Sequence, residues 1–301
     1  MDVKGFCHDR FAPVREVFER NFAEHNDVGA SFALTVDGEY VIDIWGGHRD
    51  AARTLPWEED TIVNVYSTTK TMTFISALVL ADRGDLDLHA PVTKYWPEYG
   101  QNGKEKTEVR HFMSHTAGVP GFDPSLSAAQ LYDWGFATRN LAAQAPWWEP
   151  GTRSGYHAIT QGFLIGEVIR RITGKSMGTF FREEIAGPVG ADFHIGVDPR
   201  DFHRVAQMIP AKPVEGARAP AALDPASIPA RVFASADLGN DAVNSAAWRQ
   251  AEIPAANGHG NARSVVRAQT ALANGGSAFG KRLLSADGCR TMLEVQSDGP
   301  D

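Results

Sequence analysis

Cysteine is nearly absent from this chain: Cys7 and Cys289 are the only two among 301 residues. One bridge between them stays open, but a disulfide framework is excluded. Long apolar runs are missing, so no segment reads as a bilayer span, and the stretch from Met1 to Phe6 lacks the apolar core of a signal peptide. Together these absences make a soluble cytoplasmic protein, with no membrane partner, the expectation. No basic cluster interrupts a formal net charge of −8, which argues against nucleic acid as a partner. The patterns His-Glu-x-x-His and Cys-x-x-Cys do not occur, so nothing signals a metal site. Internal repeats and low-complexity tracts are also lacking.

What remains is an ordinary globular composition, 43% hydrophobic and 22% charged, long enough for one large domain or two interleaved ones. Phe11, Val14, Phe18 and Phe22 recur at helical spacing and predict an amphipathic first helix. Ser31–Val36, Asp37-Gly38 and Glu39–Trp45 predict a β-hairpin, because Asp-Gly suits the positive φ angles of a type I′ turn. The extended run from Ile62 to Tyr66 then gives way to a helix opened by Ser67 and ending near Gly84. Further helical patterns cover 130–143, 158–173, 178–185 and 262–274, with glycine and proline loops between them. Pro210 to Pro229 carries five prolines among many alanines and reads as a long surface loop. The expected division is an α/β unit from 1–84 plus 258–301, with a helical unit over 85–257 inserted.

The chemistry-bearing stretch is Ser67-Thr68-Thr69-Lys70. Serine and lysine three residues apart on a helix share a face, and a serine at a helix start sits among free N–H groups where negative charge is favoured. A serine nucleophile with a lysine base needs that pairing, and Ser-x-x-Lys is a known signature of such enzymes. The match alone is common, since serine also caps helices and lysine is usually solvated. A second candidate is Tyr156, at a loop-to-helix junction in Gly155-Tyr156-His157-Ala158, where its hydroxyl can face a pocket or its ring can simply pack.

Several motifs follow one another in order: Ser67 to Lys70, Met113 to Pro120 (MSHTAGVP), Trp148 to Ala158 (WEPGTRSGYHA), Gly162 to Glu167, Gly258 to Ser264 and Ala271 to Gly276. With them the chain resembles the β-lactamase-related serine hydrolases, above all the family VIII carboxylesterases, from the first helix to about residue 293. The resemblance implies an α/β (α+β) fold like that of class C β-lactamases and penicillin-binding proteins, an antiparallel sheet flanked by helices. It implies ester cleavage through an acyl-enzyme: Ser67 the nucleophile, Lys70 its base, Tyr156 the proton relay, and the Ser67 backbone N–H half of the oxyanion hole. No metal or organic cofactor is implied. Trp147, Trp148 and His157 are candidates for the wall of the substrate pocket, although a plain core role is as good a reading of one of the tryptophans. His157 and His259 are otherwise expected to be loop histidines, and Ser114-His115 to end a helix.

Two departures from the family pattern narrow this. Ala158 stands where class C β-lactamases carry an asparagine that binds the lactam amide, which favours esters over β-lactams. The family's third motif, on a C-terminal strand that also supplies the second oxyanion N–H, is not found. His259-Gly260-Asn261 is not taken for it, because a helix follows directly. The expectation is therefore that C-terminal strands are missing and that the second donor lies beyond Asp301, with a second chain as a candidate carrier of both. An acyltransferase, a hydrolase of small amides or peptides, and a non-catalytic binding protein retaining the fold remain alternatives.

Overall fold

The computed structural model describes residues 2–211, 223–239 and 242–299. Its N-terminal unit is an antiparallel sheet of β1 (Val3–Cys7), β2 (Gly29–Val36) and β3 (Glu39–Gly47), in the order β1-β3-β2. The predicted hairpin is present, and Asp37 and Gly38 have φ of 53° and 86°, the left-handed pair a type I′ turn requires. β1 was not foreseen: its five residues show no alternation strong enough to announce a strand. α1 (Ala12–Glu24) packs Phe18 and Phe22 against Val3, Ile42 and Ile44 on one face of the sheet.

Along the chain follow β4 (Val63–Asn64), α2 (Thr69–Asp82), α3 (Val109–Met113), β5 (Leu126–Ser127), α4 (Ala128–Tyr132), α5 (Trp134–Ala143), α6 (Thr160–Thr173), α7 (Met177–Phe181), α8 (Gly187–Val189), β6 (His194–Ile195), α9 (Ile228–Phe233), β7 (Ala236–Asp237), α10 (Ala246–Gln250), β8 (Gly258–Gly260) and α11 (Ala262–Ala273). α11 returns to the other face of the N-terminal sheet. There Arg263 pairs with Asp43 at 2.5 Å and lies over the Trp45 ring, and Tyr40 donates to the Arg263 carbonyl. The sheet is thus sandwiched between an early and a late helix.

Several boundaries differ from the sequence expectation for local reasons. The helix expected over 130–143 is two, because Asp133 leaves the helical region (ψ 98°) and its carboxylate caps α5 at the Phe136 N–H, 2.9 Å away. Ser67 lies in a single 3₁₀ turn, Tyr66–Thr68, ahead of α2 rather than inside it. Of the Pro/Ala-rich loop, residues 212–222 lie outside the described residues, and its last part is the start of α9, with Pro229 in the first turn.

α2 is the centre of the larger core. Met72, Ile75, Leu78, Val79 and Leu80 are all buried, so the helix is apolar on nearly every side, and α6, α7 and α11 surround it. β4, β8 and β6 form a second small antiparallel sheet in the order β4-β8-β6, joining the strand before Ser67 to the segment before α11. Cys7 and Cys289 are both free thiols. Among the described residues, no helix is long and apolar enough to cross a membrane.

Candidate active site

Where β4 ends, the chain makes a sharp turn. Val65 N–H donates to the Gly258 carbonyl at 2.9 Å, and Tyr66 adopts φ 44°, a left-handed conformation unusual for an aromatic residue. The 3₁₀ turn that follows has three residues per turn, so positions i and i+3 eclipse. Lys70 Nζ accordingly lies 3.3 Å from Ser67 Oγ. Thr69 braces the turn: its hydroxyl donates to the Tyr66 carbonyl at 2.5 Å and accepts from the Gly258 N–H at 2.8 Å. Gly258 must be glycine here, since a Cβ would sit 2.5 Å from the Phe193 ring and 2.6 Å from Thr69 Oγ1.

Lys70 is 5% exposed, and its Nζ donates to the carbonyls of Ala158 (2.8 Å) and Ala255 (2.9 Å). Burial removes water from the ammonium and pushes its pKa from the ordinary lysine value down to about 7. A neutral amine would use its two hydrogens on the two carbonyls and leave its lone pair for Ser67. Tyr156 closes the constellation. Its hydroxyl is 2.6 Å from Ser67 Oγ, and Lys70 Nζ is 4.8 Å from its ring centroid.

Residues 153–157 belong to no helix or strand. Gly155 N–H donates to the His115 carbonyl at 3.1 Å, and His157 N–H donates to His115 Nδ1 at 3.1 Å. Trp148 fills the space beneath, so close that a Cβ on Gly155 would lie 2.6 Å from its ring, and it meets the His157 ring edge-on. His157 itself is fully buried. Its Nδ1 is 2.6 Å from the Gly155 carbonyl, and burial pushes its pKa down to about 3, which keeps it neutral.

Ser67, Lys70 and Tyr156 are therefore brought together. Trp148 and His157 stand behind Tyr156, within the protein. Trp147 points elsewhere, under the Arg231 guanidinium, which lies 3.8 Å from its ring centroid. His259 is buried in β8 with its pKa pushed down to about 4, and Asn261 directly after it caps α11, as the reading of a helix behind that motif requires. Sequence reasoning missed Thr69 and His115 as supports, although both lie inside quoted motifs. It also missed the Ala158 and Ala255 carbonyls, which carry no signal because any residue has one. A cleft of about 410 Å³ lined by Glu58, Asp60, Asp192, Arg263 and Arg267 includes none of the three residues. Part of its charge is already paired: Arg263 with Asp43 and Glu59, and Asp192 with Arg204.

Comparison with known proteins bears on the family and the fold. A family model described as Beta-lactamase matches residues 15–297. The chain is 37% identical over 294 residues to Esterase/beta-lactamase LipL of Mycobacterium tuberculosis, across 95% of this chain and 68% of that protein. A solved family VIII carboxylesterase superposes with a TM-score of 0.90 at 42% identity, covering 99% of this chain and 78% of that one. A penicillin-binding protein homolog from Caulobacter crescentus gives a TM-score of 0.90 at 39% identity, covering 100% and 79%. The chain spans less than half the length of several other curated relatives that it matches.

Proposed function

The chain belongs to the beta-lactamase family, and on that premise we propose that it is a serine hydrolase cleaving small carboxylic esters through an acyl-enzyme on Ser67. One observation carries the proposal: Ser67 Oγ lies 2.6 Å from the Tyr156 hydroxyl and 3.3 Å from the Nζ of a buried lysine held by two backbone carbonyls. The esterase relatives support the same reading.

In the mechanism, neutral Lys70 accepts the Ser67 proton as Oγ attacks the ester carbonyl. The Ser67 N–H is one donor to the tetrahedral oxyanion, and a donor of this kind is worth about 3 kcal/mol. Tyr156 gives its proton to the departing alkoxide and regains one from Lys70. The alcohol leaves, and Ser67 holds the acyl group. Water then attacks with the same groups in reverse order, releasing the acid and restoring Ser67. Each step moves only protons already present, so no redox partner is needed. The apolar Ala158 side chain offers an amide nothing to bind, which favours esters.

The test is intact mass spectrometry after a fluorophosphonate probe, alongside turnover of p-nitrophenyl butyrate and of a chromogenic cephalosporin. A single adduct absent from Ser67→Ala, with ester turnover above lactam turnover, is expected. An adduct that persists in Ser67→Ala would sink the assignment. Lactam turnover exceeding ester turnover would move the substrate class toward β-lactams, as the double name of the LipL relative allows.

A further inference from the structure

We propose that His115 is a positioning residue for Tyr156, holding the tyrosine hydroxyl at Ser67 from both sides of the tyrosine in the chain. The proposal rests on the serine-hydrolase reading of Ser67, Lys70 and Tyr156. Tyr156 is 36% exposed and sits on irregular backbone, so neither burial nor a regular ladder fixes it. One residue supplies three contacts to its segment. The His115 carbonyl accepts from Gly155 N–H at 3.1 Å, and His115 Nδ1 accepts from His157 N–H at 3.1 Å. The His115 ring also lies against the Tyr156 ring, with centroids 4.9 Å apart and planes tilted by 54°. Lys70 Nζ lies 4.8 Å from the centroid of the same tyrosine ring.

The backbone of His115 is what lets its carbonyl and ring reach one segment. It adopts φ 61°, a left-handed conformation sparsely used by residues other than glycine, in which histidine, asparagine and aspartate are the usual exceptions. It follows the C-cap of α3, where Ser114 donates to the Arg110 carbonyl and Thr116 N–H to the His111 carbonyl, so the turn is anchored on either side. A sparsely populated backbone kept in place by its surroundings, next to a reactive group, is a recognised sign of a functional constraint. The chemistry of the ring is fixed too. A backbone N–H donating to Nδ1 needs that nitrogen unprotonated, so the ring proton resides on Nε2.

The test compares kcat and KM for p-nitrophenyl butyrate in His115→Ala, His115→Asn, Tyr156→Phe and the His115→Ala/Tyr156→Phe double variant, with the rate of fluorophosphonate labelling of Ser67 as a second readout. Circular dichroism checks folding, and His115→Gln, whose amide reaches past the Nδ1 position, replaces an alanine variant that does not fold. His115→Ala is expected to lower kcat about 10- to 100-fold with KM within twofold, a part of the roughly 10²- to 10⁴-fold that a well-placed general acid supplies. His115→Asn, which keeps an acceptor near Nδ1 and tolerates the left-handed backbone, should restore kcat to within about threefold of wild type. In the Tyr156→Phe background, loss of His115 should change kcat by less than about twofold, because the group it positions is gone. Equal losses with and without the tyrosine hydroxyl, a loss confined to KM, or an asparagine variant as poor as alanine would each overturn the proposal. A wild-type protein that neither turns over ester nor labels at Ser67 overturns the hydrolase reading itself, whereas labelling indifferent to His115 overturns only this inference.

Discussion

Residues 63–82 and residues 146–158 deliver parts of the same hydrogen-bonded trio but are held in different ways. Ser67 and Lys70 share one short stretch of chain, and a 3₁₀ turn running into a buried helix brings their side chains together. Tyr156 arrives on a segment without regular structure, fixed by His115 some forty residues earlier and by Trp148 underneath. The proposed nucleophile and base are thus set mainly by local geometry, and the proposed proton relay by packing. Disruption should therefore act differently on the two halves: chemistry fails first in one, placement and stability in the other.

The largest effect is expected on the local half. Lys70→Met keeps a long apolar stem in the core and removes the base, so kcat for ester turnover should fall about 10³-fold, within the range for a lost general base. The thermal midpoint should fall by only a few degrees, because removing an amine whose charging is disfavoured by burial offsets part of the cost of leaving the Ala158 and Ala255 carbonyls without their donor. Turnover assays beside a melting curve check both, and a variant retaining a tenth of wild-type kcat would remove Lys70 from the mechanism.

On the packed half, Trp148→Ala should combine both kinds of damage. It empties the space under Gly155 and beside His157, and large aromatic truncations of this sort cost about 3 kcal/mol. Tyr156 would lose its floor, so kcat should fall along with the unfolding midpoint in urea. A variant with normal stability and low kcat would mean that the indole acts on substrate rather than on the loop.

The pH profile separates the halves without mutation. Burial lowers the Lys70 pKa to about 7, and only the neutral amine accepts a proton. Acylation should therefore rise about tenfold from pH 6 to pH 8 and then level off, since the neutral fraction grows from about a tenth to about nine tenths. Stopped-flow acylation reads this directly, and a flat profile over that range would contradict a titrating lysine base.

How much of this the sequence revealed follows the same division. The hairpin was legible because Asp37-Gly38 has one good turn to make, and Ser67 with Lys70 because three-residue spacing survives the change from α to 3₁₀ geometry. The break at Asp133 was hidden inside a helical pattern, since a carboxylate that caps a new helix looks no different from one on a helix surface. The two carbonyls that hold Lys70 were invisible because backbone groups have no identity in sequence. The left-handed Tyr66 and His115 were equally silent: neither residue type demands that conformation, and only the packing around it does.

The smallest effect tests whether the local half is as self-sufficient as its spacing suggests. Thr69 joins the Tyr66 carbonyl to the Gly258 N–H, so a strand-forming residue nearly two hundred positions away helps hold the turn before the nucleophile. Thr69→Val keeps the shape, frees the Gly258 N–H in a buried site and removes the restraint on the left-handed Tyr66. Leaving one buried donor unpaired costs about 1–3 kcal/mol, and kcat should fall a few-fold as Ser67 loses its setting against Lys70. Thr69→Ser, which keeps the hydroxyl, should stay near wild type in both respects. If valine lowers stability and kcat while serine does not, the difference between the two halves is one of degree: each is aimed by a distant partner, and the Ser67 turn simply needs fewer of them. If valine behaves as wild type, the chain from Val63 to Lys70 positions its own chemistry, and long-range placement belongs to Tyr156 alone.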